Sequence, residues 1–144
     1  MIELFVDTAG WGHLLDRSQA HHQLAKAIYE KTKQQKRKIV TSSYVLSELV
    51  PLVNSRLRVP KHETIRLVKA LKTSPHIDIV YVDSVIDTQA WGLLEKRLDK
   101  DWSLVDCSSM IIMQQRNIEE VLTTDHHFIQ AGFTTLLPTL KANE

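Results

Sequence analysis

The sequence predicts an α/β fold whose central sheet is mainly parallel. Five short segments have the apolar or alternating pattern of strands, and they begin at residues 2, 39, 76, 120 and 134. Segments in which apolar residues recur at helical spacing separate them. Strands that alternate with helices pair in parallel through right-handed crossovers, so the order of the elements is enough to predict the fold class.

The bounds of each element follow from capping and turn residues. The strands are expected over residues 2–6, 39–41, 76–82, 120–124 and 134–137. A short and a longer helix are expected within residues 11–35. The next helix is expected to be capped by Ser42 or Ser43 and to have an apolar ridge of Val45, Leu49, Val53 and Leu57. Further helices are expected from Pro60 to Ser74, over 85–99, over 103–116, and as a short helix between its cap Asp125 and Gly132.

Length and composition indicate a single domain over residues 1–144. Hydrophobic residues make up 43% and charged residues 24%, with only four Gly and four Pro, so a flexible linker is not expected. The single cysteine, Cys107, excludes an internal disulfide and suits a reducing cytosol. We find neither a signal peptide nor an apolar stretch of membrane-spanning length. The sequence therefore predicts a cytoplasmic protein without a membrane segment.

Four carboxylates far apart in the chain are predicted to meet at one edge of the sheet. Asp7 and Asp125 each directly follow a predicted strand. Glu48 lies in the first turns of the helix after the second strand, and Asp106 lies near the start of a buried helix. Strand ends and helix starts share the edge where α/β sheets bind ligands. These four residues are the candidate catalytic and metal-binding residues.

Such a cluster is typical of a site for a hard divalent cation. Close carboxylates repel one another and are costly to remove from water. Mg²⁺ or Mn²⁺ binds oxygen ligands and keeps water molecules. One or two such ions can activate a water and stabilise the leaving oxygen of a phosphodiester, without a Ser, Cys or His nucleophile. The formal net charge of +1 does not by itself indicate a nucleic-acid partner.

Each acid also has a purely structural explanation. Asp7 could start a turn, and Glu48 could form a surface salt bridge. Ser103 and Asp106 have the spacing of a capping box, and Asp125 is a good N-cap. Only their shared edge favours a functional site.

The sequence resembles the PIN-domain nucleases, and among them the VapC-type toxins. The resemblance spans nearly the whole chain. It is carried by residues 5–8 (FVDT), 47–49 (SEL), 101–107 (DWSLVDC), 122–128 (LTTDHHF) and 131–133 (AGF). Each segment alone is weakly specific, but together they have the order and spacing of the family.

The resemblance implies a three-layer α/β/α sandwich and Mg²⁺- or Mn²⁺-dependent endoribonuclease activity. It implies that the metal site consists of Asp7, Glu48, Asp106 and Asp125. It places Thr8, Ser103 and Thr124 at polar positions around that site, and His127 at a family position beside it. It also implies a homodimer and a small antitoxin protein. Members outside toxin–antitoxin pairs exist, so a PIN-type nuclease or RNA-binding module in RNA processing is the alternative function.

Several other signals are weaker. Arg56, Arg58 and Lys61 follow the Glu48 helix, where they could contact RNA phosphates or simply be solvated. The pairs His21-His22 and His126-His127 lack the ligand spacing of a zinc site, and His126 is expected to be exposed. A haloacid-dehalogenase-type phosphatase would need an acid where Ala9 stands, and a phosphorylation receiver would need an acidic pair after the first strand. The three tryptophans are expected in the core or at a dimer interface.

Overall fold

A computed structural model describes residues 2–56 and 58–139, and its centre is a five-stranded sheet. All strand pairs in the described residues are parallel, in the order β3-β2-β1-β4-β5. The strands are β1 (Leu4–Val6), β2 (Ile39–Ser42), β3 (Ile77–Val80), β4 (Glu120–Leu122) and β5 (Thr134–Thr135). The predicted α/β class with a parallel sheet is confirmed.

Helices connect the strands in the predicted alternation. They are α1 (Thr8–Leu15), α2 (His22–Gln34), α3 (Ser43–Pro51), α4 (Lys61–Thr73), α5 (Ser84–Lys96), α6 (Leu104–Gln115) and α7 (His127–Gln130). By the right-handed crossover rule, the helices of the β1–β2 and β2–β3 connections cover one face, and α5 and α6 cover the other. The expected three-layer α/β/α sandwich is thereby confirmed. No described helix has the length and apolarity needed to span a membrane.

The element bounds differ from the predicted ones by a few residues. Helix α1 begins at Thr8, three residues early, because the Asp7 carboxylate caps it directly after β1. Ser42 is the cap of α3, as one of the two predicted alternatives. Asp125 is not the N-cap of α7: His126 takes that position, while Asp125 Oδ1 accepts the N–H of His127.

A π-helical turn, Leu52–Arg56, follows α3 and was not predicted. Pro51 ends α3 and has no N–H to donate, so the regular α-helical ladder is interrupted there. Of the predicted apolar ridge, Val45, Leu49 and Val53 are buried. Leu57 lies outside the described residues.

The strand order sets the position of the candidate site. From β1 the chain adds β2 and β3 on one side and β4 and β5 on the other, so the winding reverses between β1 and β4. The crevice at such a reversal is where α/β sheets bind ligands. Asp7 follows β1 and Asp125 follows β4, which puts both at this crevice.

The core consists of strands that are covered on both faces. Fully buried apolar side chains fill the three central strands, namely Leu4, Phe5, Val6, Ile39, Val40, Val121 and Leu122. Continuous apolar runs of this kind are typical of parallel sheets between helix layers. Full burial of each such side chain contributes about 1.5–3 kcal/mol, so the crevice has a rigid base.

Gly10 lets α1 lie directly against β4. A Cβ at residue 10 would be 2.1 Å from the carbonyl oxygen of Leu122 and 2.9 Å from Val6 Cγ1.

Gly10→Ala should therefore lower the free energy of unfolding by about 3 kcal/mol, since neither backbone can yield. Gly92, in the middle of α5, has no atom from outside the neighbouring helix backbone within 4 Å of the position that a Cβ would take. Gly92→Ala should raise stability by about 0.5–1 kcal/mol. Urea denaturation of both variants checks this, and similar effects of the two would contradict the close packing.

Candidate active site

The Asp7 carboxylate lies buried at the carboxyl end of the central strand. Its Oδ1 accepts the backbone N–H of Gly10 at 2.9 Å, which caps α1. Its Oδ2 accepts the hydroxyl of Thr123 at 2.8 Å. Asp7 thus has both the structural role considered from the sequence and a fixed orientation at the crevice.

The surroundings of Asp7 oppose its ionisation. Burial, and to a smaller degree the charges of Asp125 and Asp106, raise the pKa of Asp7 from 3.8 to about 8, against the effect of the hydrogen bonds from Gly10 and Thr123. Without a cation, Asp7 therefore holds its proton near neutral pH. A cation bound at this point would reverse that balance, because an adjacent positive charge favours the carboxylate.

Thr123 is a site residue that the sequence analysis did not identify. Its hydroxyl donates to Asp7 and accepts the backbone N–H of Asp125 at 2.9 Å, so it connects the ends of β1 and β4. The resemblance pointed to Thr124, which makes no such contact. The signal in the sequence was a polar residue at the end of the buried run Val121-Leu122, two positions before an acid.

Asp106 and Asp125 are brought together by His127. The imidazole Nδ1 of His127 is 3.0 Å from Asp106 Oδ2 and 3.2 Å from Asp125 Oδ1. The Asp125 carboxylate is further fixed by the N–H of His127. Three of the four predicted acids, Asp7, Asp106 and Asp125, therefore share one crevice, and their charges affect one another.

The predicted capping box at the start of α6 is confirmed. Ser103 Oγ accepts the N–H of Asp106, and Asp106 Oδ2 accepts the N–H of Ser103, both at 3.0 Å. The same Oδ2 contacts His127. Burial, and less strongly the charge of Asp125, raise the pKa of Asp106. Asp106 therefore takes part in the capping box of α6 and also belongs to the acidic cluster.

Glu48 reaches the site only through Thr8. Its Oε1 accepts the Thr8 hydroxyl at 2.6 Å, and Thr8 directly follows Asp7. Glu48 is exposed, and no hydrogen bond or ion pair joins it to the other three acids within the described residues. No Lys or Arg pairs with Glu48 in this part of the chain, so the surface salt bridge considered as its structural explanation is not formed there.

A cavity lies beside the acidic crevice and includes Thr124 in its wall, together with Arg56 from the π-helical turn. Of the three basic residues predicted to contact RNA, only Arg56 lines this cavity. Arg58 is exposed on the segment before α4, and Lys61 is exposed as the first residue of α4.

The histidines after β4 differ from the sequence expectation. His126 is half-buried rather than exposed. Together with Asp125 and His127 it offers three potential ligand atoms, all within 4.8 Å of one another. This set overlaps the acidic crevice, so an ion bound there could have nitrogen as well as oxygen ligands.

Cys107 and two of the tryptophans belong to the core. Burial raises the pKa of the Cys107 thiol to about 11, which keeps it protonated and unsuited to nucleophilic attack. The indole N–H of Trp11 donates to Thr41, and Trp102 is buried against Gln130. The third tryptophan, Trp91 on α5, is 47% exposed.

The donor set of the crevice fits a divalent cation. Asp7, Asp106 and Asp125 supply carboxylate oxygens, and none of them pairs with a Lys or Arg in residues 2–56 or 58–139. Burial of a carboxylate is costly unless the group is protonated or paired with a cation. Oxygen-rich sites of this kind select hard ions such as Mg²⁺ and Mn²⁺.

A parallel sheet with acids at its winding reversal defines the class of this protein. The chain belongs to the PIN domain family, whose model matches residues 4–134. It is similar to the 23S rRNA-specific endonuclease VapC20 of Mycobacterium tuberculosis, with 28% identity over 135 residues that cover 94% of this chain and 98% of the relative.

Solved structures agree with this assignment. The crystal structure of Mycobacterium tuberculosis VapC20, described as a Sarcin-Ricin loop cleaving toxin, matches with a TM-score of 0.78 over 92% of this chain and 97% of that one, at 28% identity. FitAcB from Neisseria gonorrhoeae, at 18% identity and a TM-score of 0.64, covers 94% of this chain and 97% of its own. DNA-bound VapBC from Salmonella typhimurium, at 15% identity, matches with a TM-score of 0.63 and the same coverage. These last two support the fold.

Replacement of Asp7 should remove a pH dependence of stability. The folded-state pKa of Asp7 is raised from 3.8 to about 8, so the protonated form stabilises the fold fully below about pH 4, and this contribution is lost as the pH rises towards 8. In EDTA, wild-type stability should fall across that range relative to Asp7→Asn, because Asn caps a helix equally well without ionising.

The matched control is Asp83→Asn at the exposed cap of α5, where Asp83 accepts the N–H of Ile86. It should follow the wild-type curve. Urea denaturation between pH 4 and 8 measures all three proteins. Parallel curves for wild type and Asp7→Asn would show that Asp7 is not held protonated.

Proposed function

We propose that this protein is an endoribonuclease that requires Mg²⁺ or Mn²⁺, with Asp7, Glu48, Asp106 and Asp125 as its active-site acids. The observation that supports this most is the buried Asp7 carboxylate, which lies beside two further acids without a Lys or Arg partner in the described residues. A bound divalent ion would supply water activation and stabilisation of the leaving oxygen. We further propose that residues 1–144 form a single PIN-like domain.

The protein groups around the acids serve to orient them. Gly10 and Thr123 fix the two oxygens of Asp7, and His127 spans the carboxylates of Asp106 and Asp125. Thr8 occupies one oxygen of Glu48. Glu48 is the only exposed acid of the four.

RNA is the proposed substrate, and a toxin–antitoxin system is the proposed context. The relative that carries this inference is a 23S rRNA-specific endonuclease that is similar over nearly its whole length. The alternative, a PIN-type nuclease or RNA-binding module outside such a system, has no comparable observation in its favour. A module without catalysis would be expected to lack an acid, and all four are present.

The proposed partners are a small antitoxin protein and a second copy of the chain, in the cytoplasm. Structures of FitAcB and VapBC share this fold, which makes an antitoxin a reasonable partner to test. Three tryptophans suggested a homodimer from the sequence, but two of them are buried. The exposed apolar residues Val85, Trp91 and Leu98 on and after α5 are what now supports a homodimer.

The activity should require both the ion and the acids. Purified protein should cleave single-stranded RNA with Mg²⁺ or Mn²⁺ and lose this activity in EDTA. Asp106→Asn and Asp125→Asn should lose most of the activity but melt, without metal, at the same or a higher temperature. Repulsion is relieved, while the Asn side-chain oxygen can still accept the N–H of Ser103 or of His127.

Thermal melting with and without Mg²⁺ separates the metal site from capping. Wild type should be stabilised by the ion through mass action, and the two Asn variants should lose most of this shift. Zn²⁺ is included because His126 and His127 lie beside Asp125. Equal Mg²⁺ shifts in all three proteins, activity with Zn²⁺ alone, or undiminished cleavage in EDTA would refute the proposed mechanism.

The partner proposal is tested by mass and by co-purification. Sedimentation at micromolar concentration should give a dimer, and purification from the native host should recover a small protein with the chain. Trp91→Ser should weaken the dimer, whereas Trp91→Phe, which keeps an aromatic ring, should retain it. A monomer together with no co-purifying protein would contradict both partners.

A further inference from the structure

The cavity beside the acidic crevice has the size of a small-ligand site. Its volume is about 680 Å³, and it lies between α1, the turn into α2 and the π-helical turn. Ala9 and Thr124 form part of its wall. Ala9 follows Thr8, which contacts Glu48, and Thr124 precedes Asp125, so the cavity lies beside the acids, although none of the four lines it. Pockets of about 300–1,000 Å³ are typical of sites for small ligands and for parts of larger ones.

His13 in the cavity wall has a polar atom without a partner. Its Nδ1 is buried and makes no hydrogen bond with the described residues. The ring is 5.6 Å from that of His21, which also lines the cavity. Buried polar atoms are nearly always paired. Because Nδ1 is closed off from solvent, a ligand in the cavity contacts the accessible part of the ring first and pairs with Nδ1 only if the imidazole turns.

The protonation of His13 limits which ligand group it can contact. Burial, and then the charge of His21, lower the pKa of His13, against the opposing charge of Asp16. A neutral imidazole has one donor and one acceptor, which suits the edge of a nucleobase better than a phosphate. Asp16 itself is engaged by Ser18 and Gln19.

Arg56 supplies the charge that a phosphate requires. It lines the same cavity, and its guanidinium forms no ion pair within the described residues. A guanidinium presents a rigid fork of donors that matches phosphate oxygens. The cavity thus combines a neutral hydrogen-bonding ring and a cationic group next to the site of phosphodiester hydrolysis.

We propose that this cavity binds the nucleotide adjacent to the scissile phosphate of the RNA, with His13 at its base and Arg56 at its phosphate. The inference rests on the proposed ribonuclease function, and it makes His13 a residue that determines base preference. RNA is favoured over a protein partner because the cavity wall includes the chain neighbours of Thr8 and Asp125 together with the cationic Arg56.

Binding of RNA without cleavage tests the role of Arg56. Fluorescence anisotropy in EDTA, with a labelled oligoribonucleotide of mixed sequence, measures affinity as salt is varied. Arg56→Ala should weaken binding about tenfold and reduce the salt slope by about one. The control Arg17→Ala removes an equal charge from the turn after α1, at a residue that lines a different groove. It should bind RNA nearly as wild type does. Equal losses in both variants would overturn the assignment of Arg56.

Cleavage of a random-sequence RNA pool, with sequencing of the new ends, tests the role of His13. His13→Phe keeps a ring and removes the unpaired nitrogen, so it should fold normally. It should reduce the preference for one base next to the cut about tenfold, whereas His13→Gln should retain part of it. His76→Phe, at an exposed histidine before β3, is the control and should keep the wild-type preference.

The outcomes distinguish this inference from the proposed function. If wild type fails to cleave RNA with any divalent ion, the ribonuclease function itself is refuted. If wild type cleaves but His13→Phe and Arg56→Ala leave base preference and affinity unchanged, only the cavity assignment is refuted. If His13→Phe and Arg56→Ala cleave RNA as wild type does but no longer co-purify with a small protein, the cavity belongs to a protein partner. That result also overturns the proposal.

Discussion

The constraint on which the site depends is a carboxyl group buried at the end of the central strand. Asp7 cannot relax towards solvent, because Gly10 and Thr123 hold its two oxygens and α1 is packed on β4 without room for a methyl group. The cost of burying this charge is met by a proton or by a cation. Ionisation of Asp7, metal affinity and stability are therefore linked properties of this fold.

The acids at the two edges of the sheet have different kinds of partner. At the amino ends of the strands, Arg116 donates to both oxygens of Glu3 and to Asp78, and Arg37 pairs with Glu120. At the carboxyl ends, hydroxyls, amides and imidazoles contact the acids instead, within the described part of the chain. Arginine neutralises charge permanently, whereas hydroxyl and amide groups orient a carboxylate and leave its charge available.

Element order and the edge that carries the acids could be predicted from the sequence, because hydrophobic period and strand alternation determine them. Contacts between side chains could not. Thr123 rather than Thr124 reaches Asp7, and the residue pattern alone does not specify which of two adjacent hydroxyls faces the crevice. The Pro51 π-helical turn was missed because proline normally signals an end, and here it widens the helix and places Arg56 at the cavity.

The hydrogen bond between Thr123 and Asp7 joins residues that are 116 positions apart. During synthesis Asp7 leaves the ribosome long before β4 exists to pair with β1. A chain interrupted before residue 120 has neither β4 nor Asp125, so the proposed catalytic centre cannot assemble in it. The order of the strands thus requires synthesis to pass Asp125 before the proposed site can form.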